Sequence, residues 1–220
     1  MEIRVKHNDF FIFDLDDTLY SELTFLQSAY SEVAADIDPA GAEKLLEEML
    51  RRYRNGENVF KWLIENYSQQ FPGLTVNLLL HRYRNHLPAI NFYEGVQALF
   101  STLKKSNIPM GLITDGRSIT QRNKLKALGI EMLFTEIIIS EEFGCEKPDP
   151  RVFRFFNDKY PGKNFFYFAD NPKKDFAVPV SLGWTTVCLR DAGFNIHRQD
   201  LSGTAIQYLI DSFDDIKILS

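Results

Sequence analysis

The stretch FFIFDLDDTLY, residues Phe10 to Tyr20, runs four apolar residues into three acids, Asp14, Asp16 and Asp17. A short, continuous apolar run suits a strand buried on both faces, as in a parallel sheet covered by helices. Ionised carboxylates at the end of such a strand repel one another and lose hydration. The cluster therefore needs a cation, a hydrogen-bond network or solvent.

Four later runs have the same character: MGLIT (110–114), EIIIS (136–140), FFYFA (165–169) and TTVCL (185–189). Between them lie stretches with helical apolar spacing, Val96, Leu99, Phe100 and Leu103 in one and Ile119, Leu125 and Leu128 in the next. Asp149 is placed to cap a helix that starts at Pro150, and Gly129 to end the one before it. Strands alternating with helices predict an α/β fold, a Rossmann-like parallel sheet with helices on both faces. From Leu19 to about Pro88 the pattern is helical and charged, with no strand signal. About 70 residues exceed what an ordinary crossover needs, so a helical insertion after the first strand is expected.

In open parallel sheets ligands bind outside the carboxyl ends of the strands. Asp14, Asp16 and Asp17 follow the first strand, Thr114, Asp115 and Gly116 the second, and Asp170 with Asp175 the FFYFA strand. Lys147 follows EIIIS in GCEKPDP. Mg²⁺ would relieve repulsion between Asp14 and Asp170 and binds through a few carboxylates, water and phosphate. Lys147, the Thr114 hydroxyl and backbone N–H groups around Gly116 could hold phosphate oxygens. His7, His81, His86 and His197 fall outside these segments, which leaves a carboxylate as the natural nucleophile. Asp16 could move protons to and from the leaving group and water. The chemistry read from these residue types is phosphoryl transfer through an aspartyl phosphate.

DLDDT resembles the DxDxT signature of the haloacid dehalogenase superfamily, and ITDG, the Lys147 of EKPDP and ADNPKKD resemble its other motifs in order, from Phe10 to about Leu189. The resemblance implies Asp14 as nucleophile and metal ligand, Asp16 as acid/base and carbonyl ligand, Thr114 and Lys147 on phosphate, and Asp170 and Asp175 at the Mg²⁺ site. Asp115 and Gly116 would adjoin the phosphate. It further implies that residues 20–88 form a C1 cap on a core of residues 1–19 and 89–220. Asp16 favours phosphate-ester hydrolysis over dehalogenase and phosphonatase chemistry. A phosphomutase of the β-phosphoglucomutase type keeps both acids and stays an alternative, as does a signalling module phosphorylated on aspartate. Asp115 stands where relatives often have Asn and is expected to turn away or accept a hydrogen bond. Ala169 replaces a frequent Gly. Within the insertion, Tyr53, Arg54, Trp62, Arg82, Tyr83 and Arg84 are candidates for substrate contact, against the alternative of cap core and solvated face.

A net charge of −5 argues against a nucleic-acid surface, and no segment has the apolar length of a membrane span. Two distant cysteines, Cys145 and Cys188, offer neither a disulfide framework nor zinc spacing. A cytoplasmic Mg²⁺-dependent phosphatase of small phosphorylated metabolites, sugar phosphates or nucleoside monophosphates, monomeric or homodimeric, is the expectation.

Overall fold

In the computed structural model, which describes residues 1–219, the FFIF run is a strand with no exposed residue, but it is the second strand of the chain. A short strand β1 (Glu2–Arg4) precedes β2 (Asp9–Phe13) and pairs in parallel with β8 (Lys217–Leu219) at the other end of the chain. Four helices follow β2 without a strand between them: α1 (Glu22–Ile37), α2 (Ala42–Arg54), α3 (Val59–Tyr67) and α4 (Val76–Asn85). The chain then alternates. It forms α5 (Val96–Lys105), β3 (Met110–Thr114), α6 (Ser118–Leu128), β4 (Glu136–Ile139), α7 (Ser140–Phe143), α8 (Pro150–Lys159), β5 (Asn164–Ala169), α9 (Ala177–Ser181), β6 (Thr185–Leu189) and β7 (Tyr208–Ile210).

Six of these strands make one all-parallel sheet in the order β4-β3-β2-β5-β6-β7. The alternation along β2 explains its composition. Phe11 and Phe13 enter a core with Val96, Leu99, Phe100 and Leu103 of α5, whereas Phe10 and Ile12 enter another with Val152, Phe153 and Phe156 of α8. A strand covered on both faces must be apolar at every position. Gly111 of β3 is small for the same reason, since a Cβ there would lie 2.6 Å from the Phe156 ring.

The helices of residues 22–85 bury a core of their own, built from Leu26, Tyr30 and Val33 of α1, Met49 of α2, Leu63 of α3 and Leu79 of α4. The chain leaves for this segment and returns from it along paired backbone. Tyr20 bridges both Asp16 and Phe92, and Tyr93 N–H donates to Leu19 O at 2.9 Å. The predicted helix signals are present: Asp149 accepts from Arg151 N–H at 2.9 Å ahead of Pro150, and Gly129 ends α6 with φ +67°. Among the described residues, no helix is long and apolar enough to cross a membrane.

Candidate active site

Chain order reverses between β2 and β5, which lie side by side although 150 residues separate them. Their carboxyl ends carry Asp14 and Asp170, and Asp14 N–H donates to Phe168 O at 2.9 Å. This is the switch point of an open sheet, where the diverging loops leave a crevice. A cavity of about 150 Å³ opens there, and its wall includes Asp14, Asp16, Thr114, Asp115, Lys147, Asp170 and Asp175. Of the residues that follow the sheet strands in the motifs, Gly116 stands apart. Its N–H donates to Ser140 Oγ at 2.9 Å, and it is not among the lining residues.

Lys147 is the electrostatic centre of the cavity floor. Its Nζ lies 2.6 Å from Asp14 Oδ1 and 2.7 Å from Asp175 Oδ1, with 4% of the side chain exposed. Burial alone would lower the ammonium's pKa, but Asp14 and Asp175 outweigh it and hold the pKa above the ordinary lysine range. Burial likewise pushes Asp14 up to about 7; Lys147 opposes that shift, and Asp175 and Asp16 add to it. Asp170 is raised too, by burial first and then by Asp14, Asp175 and Asp17. Burial and mutual repulsion thus make Asp14 and Asp170 ionise reluctantly.

Thr18, the last residue of DLDDT, stands beside these acids. Its buried hydroxyl lies 3.2 Å from Asp14 Oδ2 and 3.5 Å from Asp170 Oδ1, between the two carboxylates. Asp14, Asp170 and Asp175 can each bring one oxygen to within 4.8 Å of the others. Three buried carboxylates in mutual repulsion fit a hard, oxygen-seeking cation. Asp175 is the least free of them. Its Oδ1 accepts from Tyr167 Oη at 2.9 Å as well as facing Lys147, and its Oδ2 accepts from Asn171 N–H at 3.2 Å. It is not the cap of α9, which begins two residues later without a side-chain cap.

Asp16 faces another set of partners. Its Oδ1 accepts from Tyr20 Oη and from Lys124 Nζ, the latter at 2.7 Å, and its Oδ2 from Gln121 Nε2 at 2.9 Å. Burial acts to raise this carboxyl, yet Lys124, Tyr20 and Gln121 hold it below the usual range. Asp17 does structural work from a left-handed backbone, φ +52°, accepting from Glu22 N–H at 2.8 Å and Ile196 N–H at 3.0 Å. Asp115 accepts from Lys147 N–H at 3.0 Å and pairs with Lys174 at 3.2 Å.

The cavity wall also includes Glu22, Asn171, Lys174 and His197, which the sequence reading did not assign to the site. Asn171 and Lys174 sit inside the ADNPKKD motif, so their position there was the available signal. His197 had none, because it lies on the irregular segment between β6 and β7. That segment also sends Asn195 Nδ2 to Asp170 Oδ2 at 2.8 Å and Gln199 Nε2 to Asp170 O at 2.7 Å. The six candidates in the helical segment are absent from the wall. Arg82 pairs with Asp36 at 2.9 Å, and the Tyr53 and Tyr83 rings pack around Tyr30.

The sequence pattern described as haloacid dehalogenase-like hydrolase matches residues 11–177. The chain belongs to that family. It is 28% identical to a glyceraldehyde 3-phosphate phosphatase from Methanocaldococcus jannaschii, over 94% of this chain and 97% of that one. A glyceraldehyde 3-phosphate phosphatase from Methanopyrus kandleri is 30% identical over 81% of this chain and 82% of its own. Among solved structures, magnesium-bound YfnB from Bacillus subtilis superposes with a TM-score of 0.63 at 17% identity, covering 96% of this chain and 97% of that chain. The haloacid dehalogenase phosphatase from Thermococcus onnurineus gives 0.58 at 20% identity, with 94% and 95% covered. At such identities these likenesses speak for the α/β fold.

Proposed function

We propose that the protein is a Mg²⁺-dependent phosphatase that hydrolyses a small phosphorylated metabolite through an aspartyl phosphate on Asp14. It is an enzyme of the phosphoric monoester hydrolase class, in line with the family match and the curated relatives. The observation that carries the finer reading is the convergence of Asp14, Asp16, Thr114, Lys147 and Asp170 on one cavity at the sheet's switch point. Three-carbon sugar phosphates are the first candidates, given the substrate in the names of the two relatives.

In this mechanism Asp14 attacks phosphorus, the bond to the ester oxygen breaks, and Asp16 relays to the leaving oxygen the proton that the phosphate-ester monoanion brings into the site. Water then attacks the phosphorylated Asp14, Asp16 takes a proton from it, and phosphate leaves. Lys147 and Thr114 hold the non-bridging oxygens, and Asp175 keeps Lys147 in place from behind. Asp14, Asp170 and the carbonyl of Asp16 are the proposed Mg²⁺ ligands, with Asp175 set back. The bound ion supplies charge that offsets repulsion between the carboxylates and the incoming phosphate. Residues 20–88 act as a cap on the core of residues 1–19 and 89–220.

The test is phosphate release from glyceraldehyde 3-phosphate and from p-nitrophenyl phosphate, with Mg²⁺ and with EDTA. Activity is expected only with the metal and to be abolished by Asp14→Asn. Turnover that survives that substitution would exclude Asp14 as nucleophile. Conversion of a sugar phosphate to its isomer without net phosphate release would point instead to the mutase reaction.

A further inference from the structure

The buried cation Lys124 is not among the residues that line the cavity. Only 3% of its side chain is exposed, and its Nζ sits 2.7 Å from Asp16 Oδ1 and 4.4 Å from the centre of the Phe25 ring. Asp16 is its one carboxylate partner among the described residues. Burying an ammonium is costly unless its charge is met, and a surface lysine at this point of α6 would avoid the cost altogether. The neighbouring turn of the same helix supplies Gln121, whose Nε2 reaches Asp16 Oδ2 at 2.9 Å, Thr114 Oγ1 at 2.5 Å and Asp115 O at 3.2 Å. Its two amide hydrogens are shared among three acceptors, so the hold of Gln121 on Asp16 is divided. Tyr20 Oη, on the strand-like passage into the helical segment, meets the same oxygen as Lys124.

We propose that Lys124 is a positioning residue for Asp16, clamping the carboxylate from the side away from substrate so that it meets the leaving-group oxygen in a fixed orientation. Tyr20 and Gln121 complete the clamp. The same face of α6 is tied to the end of α4: Asn123 Nδ2 donates to Asn85 O at 3.0 Å and Thr120 Oγ1 to Arg84 O at 3.3 Å. The clamp is therefore anchored to the passage through which the chain returns from its helical segment. This assignment rests on the phosphatase reading, in which Asp16 moves the proton.

The experiment compares Lys124→Met with the unmodified enzyme, in Mg²⁺, on an alkyl phosphate such as glycerol phosphate and on p-nitrophenyl phosphate. An alkoxide needs a proton to leave, and nitrophenolate does not. We expect kcat on the alkyl ester to fall roughly 100-fold with KM little changed, the usual size of a lost acid–base contribution. The pre-steady-state burst of nitrophenolate is expected to keep its rate within about twofold, because that step does not draw on Asp16. In an Asp16→Asn background, Lys124→Met should cost nothing further; this double variant also removes the stranded charge, so a folding failure of the single variant leaves the comparison intact. A nitrophenolate burst slowed as much as alkyl-ester turnover, or losses that add in the Asp16→Asn background, would overturn the positioning role. No phosphate release from either ester by the unmodified enzyme would instead overturn the phosphatase reading beneath it.

Discussion

At the residue scale, one ammonium answers for two carboxylates. Lys147 lies within 2.7 Å of both Asp14 and Asp175, and removing it would leave two buried acids facing each other. Breaking such a pair from one side costs about 3–5 kcal/mol. Lys147→Met is expected to lower unfolding free energy by about that amount in urea titrations, as well as abolishing turnover. The opposite sign governs pH. Asp14 is raised from an ordinary 3.8 to about 7 and Glu22 from 4.5 to about 8, burial being the chief cause in both. The folded chain thus holds protons that the unfolded chain releases. These groups' contribution to stability is complete below about pH 4 and is lost as pH rises through 7 and 8. For the EDTA-treated protein, the melting temperature should fall between pH 5 and 8, and Glu22→Gln should flatten the upper part of that fall. A melting temperature that rises over this interval would contradict the assignment.

The same residues mark how far the sequence could be read. Asp14, Asp16, Lys147 and Asp170 stood at the ends of apolar runs in a recognisable order, and the fold brings them to one cavity. Lys124 and Gln121 could not be found that way. They sit on a helix read from Ile119, Leu125 and Leu128, but Ile119 is 45% exposed, and the inward face carries Thr120, Gln121 and Lys124 as well as Leu125. A helix that packs polar groups against an inward-facing carboxylate breaks the apolar periodicity by which helices are oriented from sequence.

At the element scale, all five runs singled out as strands are strands of the central sheet, whereas β1, β7 and β8 were not recognised. Each of the three has only three residues, too few to display a period. One connection is fixed by a close approach. Gly95, ahead of α5, has φ +84°, and an added Cβ would stand 2.5 Å from Asp214 N. Neither backbone can retreat far, so Gly95→Ala combines left-handed strain with a backbone clash. It should destabilise the protein by roughly 2–4 kcal/mol, measurable as a lower urea midpoint with an unchanged slope.

At the scale of the whole molecule, the irregular segment from 190 to 207 joins the helical segment to the carboxyl end of the sheet. Ile196 packs against the core of the helical segment, its N–H reaches Asp17, and Asn195 holds Asp170. Sequence periodicity does not expose such a segment, since its contacts come from single residues and backbone groups. Asn195→Ala removes a contact that orients a proposed metal ligand. Mg²⁺ binding measured by calorimetry should weaken by roughly 10-fold, with little change in melting temperature in EDTA. Unaltered Mg²⁺ affinity would count against Asp170 as a ligand oriented by this segment.

The adjacency of β2 and β5 has a consequence in time as well as in space. Helices α1 to α4 assemble from neighbours along the chain, but Asp14 meets Asp170 only after strands some 155 residues apart have paired. Long-range pairing is the slow part of folding. After dilution from denaturant, helical circular dichroism should therefore return before catalytic competence does. The lag between the two signals would measure the time needed to join the halves of the sheet.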